Sequence, residues 1–295
     1  MHQGALKSDL WLVLVTVFAA LGWVFSAEAL VGMTPLLFIG VRFLLAGLLL
    51  MVAGGRPLQR LTRLDWRNAL LTGAVMGVAM SFWIMGLATA DNLGVGAFLA
   101  SLGVVFVPIV GRLLFGSATT ASTWVAVGVA VIGLACLRVE DGFSLSGSDV
   151  FFLLAALSFS VHFNLNTRFS VRIPALPLTA IQLTVTGLVA LTLSTALEPV
   201  PVVPGLDILG WLLASVVIAT GLRFWLQVKA QGLATASHAA VILTLEPVWA
   251  SLFGLWWFGQ QMSLLQLLGC GLILSALLVS RWRLLFRRSM LRGSI

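Results

Sequence analysis

Ten long apolar runs constrain this chain more tightly than any motif in it. A helix that crosses a bilayer needs roughly 20 mostly apolar residues. Runs of that kind lie near 10–30, 34–53, 68–88, 93–115, 121–138, 149–167, 176–197, 208–228, 235–258 and 263–281. Polar, Pro or Gly breaks separate them, among them "AGGRPLQRLTRLDWR", "RVEDGFSLSGSD" and "LEPVPVVPGLD". Only 9% of residues are charged and 60% are hydrophobic, whereas a soluble domain carries about 25% charged residues. Too few polar residues exist to cover a soluble surface, so lipid must be much of the solvent. The expected fold class is an all-α integral membrane protein of ten transmembrane helices. The first run is too long for a signal peptide and lacks its small-residue cleavage pattern, so it is read as the first span.

Charge orients the spans. With the N-terminus inside, the cytoplasmic loops and tails hold Lys7, Arg56, Arg60, Arg63, Arg67, Arg112, Arg168, Arg172, Lys229, Arg281, Arg283, Arg287, Arg288 and Arg292. The outside loops hold Arg138 alone, while Arg42 and Arg223 fall within spans. Lys and Arg concentrate on the cytoplasmic side of membrane proteins, so both termini are expected there, in a cell inner membrane. The net charge of +7 is then a topology signal. The "RWRLLFRRSMLR" tail reads as an anchor to anionic lipid, and no nucleic-acid partner is expected. Cys136 and Cys270 lie in apolar runs and read as inert buried thiols. No metal site, cofactor or catalytic centre is expected, since no HExxH, GxSxG or P-loop pattern is present.

The pentapeptide "GLATA" occurs at 86–90 and again at 232–236. After the second copy, "TL…FG" at 244–259 matches "SL…FG" at 101–116; Ser122, Gly128 and Ile132 then match Ser263, Gly269 and Ile273, and "FW" recurs at 82–83 and 224–225. Spans four and five therefore resemble spans nine and ten. Two copies of five helices follow, residues 1–145 and 146–295, within one membrane domain. Five is odd, so the second copy enters the membrane from the opposite face. Inverted repeats of this kind place a substrate site at the repeat interface, so a central cavity is expected.

The sequence also resembles the drug/metabolite transporter superfamily in its ten-helix EamA branch. The features that carry the likeness are "GW" at 22–23, "P…VRFLLAGLLL" at 35–50 and "GLATASHAAVILTLEPVWASLFGLWWFG…LLGCGLIL" at 232–274. Within that superfamily it is most similar to the YddG-type aromatic amino-acid exporters. The resemblance implies a secondary transporter with a central cavity.

Ionisable groups inside spans are costly and usually face a cavity or one another. Glu28 and Arg42 are a candidate ion pair, Arg42 lying about 12 Å deep at ~1.5 Å per residue. Glu246 falls near the midplane of the ninth span, on one face with His238. In the sixth span Ser158, His162 and Asn166 recur at i, i+4 and i+8; Thr179, Gln182 and Thr186 mark the seventh. Arg223, Thr220 and Gln227 form a polar stripe on the eighth. Trp83, with Met80 and Met76, and the repeat-related Trp225 offer flat rings and thioethers for stacking and cation–π contact. Substrate contacts are accordingly expected from Trp83, Met80, His162, Asn166, Gln182, Arg223, Trp225, Gln227, His238 and Glu246. Gly94, Gly96, Gly103, Pro108 and Pro247 are candidate hinges, with spans three, four, eight and nine moving against each other.

The expected function is alternating-access export of small metabolites, with aromatic amino acids first and aromatic organic cations second. The expected partners are a small-molecule substrate, lipid and a coupling proton, and the expected assembly is a monomer, with a dimer as alternative. Non-aromatic amino acids, nucleosides and drugs form the alternative substrate classes. A non-transporting scaffold or an intramembrane enzyme is the remote one.

Overall fold

The computed structural model describes residues 2–90, 96, 99–118, 121–138, 147–199, 204–259, 263–265, 267–269, 271–272 and 275. Gly94, Cys270 and most of the tenth expected span lie outside these residues. Among the described residues every regular element is helical: α1 (His2–Ala29), α2 (Pro35–Gln59), α3 (Arg63–Ala88), α4 (Gly103–Phe115), α5 (Ala121–Arg138), α6 (Gly147–Ser170), α7 (Ala175–Leu197), α8 (Leu206–Ala214), a π-helical stretch (Ser215–Leu222), α9 (Arg223–Gln231), α10 (Ala236–Leu243) and α11 (Glu246–Phe258). Seven helices or continuous helical runs are long and apolar enough to cross a membrane, the shortest of them Pro35–Ala53 and the longest Arg63–Ala88 and Leu206–Gln231. The chain is therefore a multi-pass membrane protein.

Local chemistry sets the helix starts. Thr62 and Asp65 form a reciprocal capping box at α3, which satisfies two of the otherwise orphaned N–H groups. Pro35 opens α2, where its missing N–H costs nothing. Glu198, beyond the end of α7, accepts from the backbone N–H groups of Leu36 (2.6 Å) and Leu37 (2.9 Å) and from Thr34 Oγ1 (2.8 Å). A carboxylate there also complements the positive end of the α2 dipole.

That contact joins the start of α2 to the end of α7, and glycines carry the seam onward. A Cβ on Gly40 would meet Leu191 at 2.6 Å, one on Gly187 the Leu44 backbone at 2.4 Å, and one on Gly47 the Thr184 backbone at 2.5 Å. The two helices thus run antiparallel at near backbone contact, the small-residue association found where no hydrophobic drive exists between helices in lipid.

The remaining helices interleave. α3 lies on α6 and α7, α4 on α6 and α10, and α1 along α8 to α11. α1 runs parallel to α10 and α11: His238 meets Asp9 at 3.0 Å, Trp249 Nε1 donates to Thr16 Oγ1 at 3.1 Å, and Trp257 Nε1 donates to Glu28 Oε1 at 2.9 Å. α6 runs parallel to α4 in the same way, with the Ala156 carbonyl against Gly103 and Asn164 against Gly111, and Phe152 lies against Gly96. Leucines on the outer faces, such as Leu48, Leu49, Leu70, Leu71, Leu113 and Leu114, are exposed, as a lipid-facing surface requires.

Two expected spans are broken. The fourth is interrupted by a turn at Leu102, just before α4, and the ninth by turns at Thr244 and Leu245, just before α11. α4 and α11 are both 13 residues long, and they end at Gly116 and Gly259, which cap them with φ of 62° and 63°. Only glycine takes that left-handed conformation without strain.

Candidate functional site: a cavity between the helix breaks

Both breaks open onto one central cavity. Ala100, Ser101 and Gly103 reach it from the first break, and Leu243, Thr244 and Glu246 from the second. α1 supplies Trp23, α3 supplies Met80 and Trp83, α6 supplies Phe159, Ser160, His162 and Phe163, and α9 supplies Arg223, Phe224 and Gln227.

Part of this wall is aromatic. Trp23 and Trp83 meet edge to face, with centroids 4.8 Å apart and planes at 78°, an arrangement favoured by the ring quadrupoles. Phe152 backs Trp23 at 6.1 Å. Charged groups stand among the rings, Arg223 over Phe224 at 4.1 Å. Glu246 Oε1 accepts from Trp23 Nε1 at 2.8 Å, and its Oε2 lies 3.7 Å from Arg223 Nη2. The first is a full hydrogen bond; the second is a looser ion pair. Glu246 stands in the first turn of α11, where the helix dipole favours a carboxylate.

Arg42 also lines the cavity. Its Nε donates to Thr220 Oγ1, Nη1 to Ser26 Oγ at 2.9 Å and Nη2 to the Ala219 carbonyl at 3.2 Å. Thr220 and Ala219 belong to the π-helical stretch, a local distortion common at functional sites. Phe38 and Phe43 flank the guanidinium, each centroid 5.6 Å away. Arg42 is therefore held by neutral acceptors. The expected pair with Glu28 does not form, because Glu28 sits near the end of α1 and takes the Trp257 indole instead. Among the described residues the cavity wall carries two guanidinium groups and one carboxylate.

Two buried polar atoms in this wall lack a hydrogen-bond partner among the described residues: Arg223 Nε and Gln227 Oε1. Such groups are rare in folded proteins, and each costs about 1–3 kcal/mol when nothing meets it.

Behind the wall runs a buried polar chain. His162 Nε2 lies 3.0 Å from Gln182 Oε1; Gln182 Nε2 donates to Asn166 Oδ1 at 2.8 Å; Asn166 Nδ2 donates to Gln231 Oε1; and Gln231 Nε2 donates to Thr167 Oγ1 at 3.0 Å. Asn166 and Gln182 thus tie α6, α7 and α9 together and do not line the cavity. Asn166 is spaced i, i+4 from the cavity-facing His162, but the helices meet so closely that the Asn166 and Gln182 amides satisfy one another.

Of the residues singled out in the sequence, Met80, Trp83, His162, Arg223, Gln227, Glu246, Arg42 and Gly103 meet at the cavity. Trp225 does not: it lies beside Lys229, whose Nζ is 5.0 Å from its ring. His238 pairs with Asp9 near the start of α1. Gly96 packs against the Phe152 ring, Pro108 is buried inside α4 away from the break, and Pro247 follows the second break in the first turn of α11. Trp23 is the main residue that sequence reasoning missed as a site residue. Its "GW" was visible, and a Trp well inside a span rather than near its ends was the signal.

Membrane-length helices around an amphipathic cavity, with two spans broken at its edge, define a membrane transport protein. The chain belongs to the EamA-like transporter family, which matches residues 6–139 and again residues 147–282. It is 27% identical over 258 residues to the uncharacterized inner membrane transporter YedA of Escherichia coli (strain K12), covering 83% of this chain and 81% of that protein. YedA of Escherichia coli O157:H7 gives the same figures. A solved crystal structure shares the fold with a TM-score of 0.75 at 20% identity, over 98% of this chain and 99% of that one.

Proposed function

We propose that this chain exports small metabolites by alternating access, as a secondary-active or facilitative carrier, with aromatic amino acids as its principal solutes. The observation that carries the reading is the mixed aromatic and charged lining of the cavity. The Trp23–Trp83 pair offers an edge and a face to an aromatic ring, and Arg223 and Glu246 offer both signs of charge to a zwitterion. Among the described lining residues two guanidinium groups stand against one carboxylate, which disfavours a free organic cation, so that alternative falls behind.

The inverted repeat supports alternating access. The family matches the chain twice in succession. α2 and α7, the second helix of each half, run antiparallel. α1 lies along the ninth span as α6 lies along the fourth, and both of those spans are broken at the cavity. Matched breaks in corresponding helices mark the site in such carriers, which gives Gly103 and Pro247 a hinge role at the breaks. The charge distribution and the inner-membrane relative favour an inner-membrane location with both termini cytoplasmic. Protons are the candidate coupling ion.

The test is uptake into liposomes holding the purified protein, with labelled Trp, Phe, Thr and methyl viologen. Saturable movement of Trp and Phe, with little of Thr or methyl viologen, is expected. Saturable movement of Thr alone would overturn the aromatic assignment.

A further inference from the structure

Away from the cavity, near the start of α1, two ammonium groups converge on one indole. Lys7 Nζ lies 5.1 Å from the Trp11 ring centroid. Lys229 Nζ lies 4.7 Å from the same ring and 5.0 Å from that of Trp225. All three distances fall within cation–π range. The helices that supply these groups, α1 and α9, are antiparallel neighbours. Ser8 Oγ donates to the Ala230 carbonyl at 2.9 Å, and further along α1 a Cβ on Gly22 would stand 3.1 Å from Ala219. Trp11 packs on the core that holds Ala230 and Ala239, so its ring is fixed in place, while both lysines are exposed. The two ion pairs seen among the described residues, Arg223–Glu246 and His238–Asp9, use neither lysine.

The residues beyond the lysines are ordered by polarity. On α1, Lys7, Leu10, Trp11 and Leu14 stand at i, i+3, i+4 and i+7, hence on one face. On the neighbouring span, Lys229 and Trp225 are one turn apart on α9, and Leu222 ends the π-helical stretch one turn further on. Leu10, Leu14 and Leu222 are exposed. Each helix therefore passes from cation through indole to exposed leucine over about 10 Å, at ~1.5 Å per residue. A phospholipid has the same order: a phosphate, an ester zone at the depth where indoles settle, and then acyl chain. We propose that Lys7 and Lys229, with Trp11 and Trp225, bind the phosphate diester of an anionic phospholipid whose chains lie along Leu10, Leu14 and Leu222. Basic pockets between spanning helices hold acidic head groups in this way. A zwitterionic head group brings its own ammonium against two others, so the site selects net-anionic lipid. It lies apart from the cavity lining and depends on no particular solute.

The test uses the full chain, purified and delipidated in detergent. Its probes are phosphatidylglycerol and phosphatidylcholine with identical chains, and native mass spectrometry reads the affinity of the first lipid bound. One lysine beside an anionic lipid surface contributes about fivefold in affinity, so a preference of at least about tenfold for phosphatidylglycerol is expected from two. Lys7→Gln combined with Lys229→Gln removes both charges at little change in length, and is expected to reduce the preference to about twofold or less. Lys7→Arg combined with Lys229→Arg keeps both charges and is expected to keep the preference. Arg67→Gln removes an exposed charge from α3 and is expected to leave the preference unchanged. Equal binding of the two lipids by the wild-type protein overturns the site, whatever the variants do and however well they fold. A loss in Arg67→Gln as large as in the double glutamine variant also overturns it, because the attraction is then spread over the basic surface. Displacement of phosphatidylglycerol by millimolar inorganic phosphate overturns it too, because the ligand is then a free anion and not a lipid.

Discussion

Glu246→Gln is the perturbation that bears most directly on the cavity. The amide keeps the size of the carboxylate and one acceptor oxygen, so Trp23 Nε1, now at 2.8 Å, retains a partner. The charge is lost. A hydrogen bond to a charged group contributes about 1.5–3 kcal/mol against about 1 for a neutral one, so the Trp23 bond weakens by roughly 1 kcal/mol. The Arg223 pair at 3.7 Å, with its side chains 13% and 22% exposed, lies between two limits. Two unit charges near 4 Å interact by about 4 kcal/mol at an effective dielectric of 20, while pairs open to water yield about 0–1 kcal/mol. The cavity-facing position argues for the lower part of that range. A total of roughly 1–3 kcal/mol is expected, which is a factor of about 5 to 150. The assay is tryptophan uptake into proteoliposomes, read as KM and maximal rate, with melting in detergent as the control for folding. The efficiency of uptake is expected to fall by a factor in that range. Trp23→Phe keeps an aromatic ring and removes only the N–H, so its loss should be smaller. Kinetics within twofold of wild type for Glu246→Gln would place Glu246 off the transport path and refute the reasoning.

The helix seam makes a contrasting prediction about stability. Gly187→Val pushes side-chain atoms into the Leu44 backbone, 2.4 Å from where a Cβ sits, and should cost about 1–3 kcal/mol or more in melting measurements; Gly128→Ala, with nothing within 4 Å, should be neutral or stabilising by up to about 1 kcal/mol. Gln182→Leu strands His162 Nε2 and Asn166 Oδ1 and should lower stability by about 1–3 kcal/mol, measured by the same melting. For the topology, tags at residue 145 and at the C-terminus should report from opposite sides of the membrane; the same side for both would end the inverted-repeat reading.

The spans were legible because a bilayer leaves a long, uniform signature: every backbone polar group must be satisfied within its own helix, so apolar length alone marks the element. α5 occupies 121–138, as the pattern of residues predicts. The breaks before α4 and α11 were only half legible. Gly103 and Pro247 marked them, but Pro108 looked the same on paper and sits in an unbroken helix. A proline reveals a missing donor, not whether neighbouring helices restore continuity. The site divides in the same way. Single residues of costly type inside spans, Arg42, Arg223 and Glu246, were found because burying charge is rare. Their partners were not found, because partner choice depends on how helices distant in sequence are placed. Glu28 and Arg42 looked like mates, yet α1 carries Glu28 to Trp257 and leaves Ser26 for Arg42. Trp225 matched Trp83 in the repeat but turns to Lys229.

That last divergence bears on mechanism. In the sequence correspondence, Gly103 and Glu246 occupy equivalent positions directly after the two breaks. Gly103 lets α4 approach α6 to the Ala156 carbonyl, 3.2 Å from where a Cβ sits. Glu246 instead joins α11 to α1 and α9 through one hydrogen bond and one loose ion pair. One break is closed by backbone contact, and the other by side chains. Under the proposed function a zwitterionic solute would suit this second break, because its ammonium would compete with Arg223 for Glu246 while its carboxylate would compete with Glu246 for Arg223. Such a solute would satisfy both charges while severing the link between them. A ligand shifts a conformational equilibrium only by its differential affinity for the two states, and under the proposed function this exchange would supply one, since the solute would gain most in a state where Glu246 and Arg223 have parted. An uncharged aromatic such as indole cannot make the exchange. It is expected to occupy the Trp23–Trp83 side without accelerating tryptophan counterflow; acceleration by indole equal to that by tryptophan would show that the ion pair has no part in the conformational step.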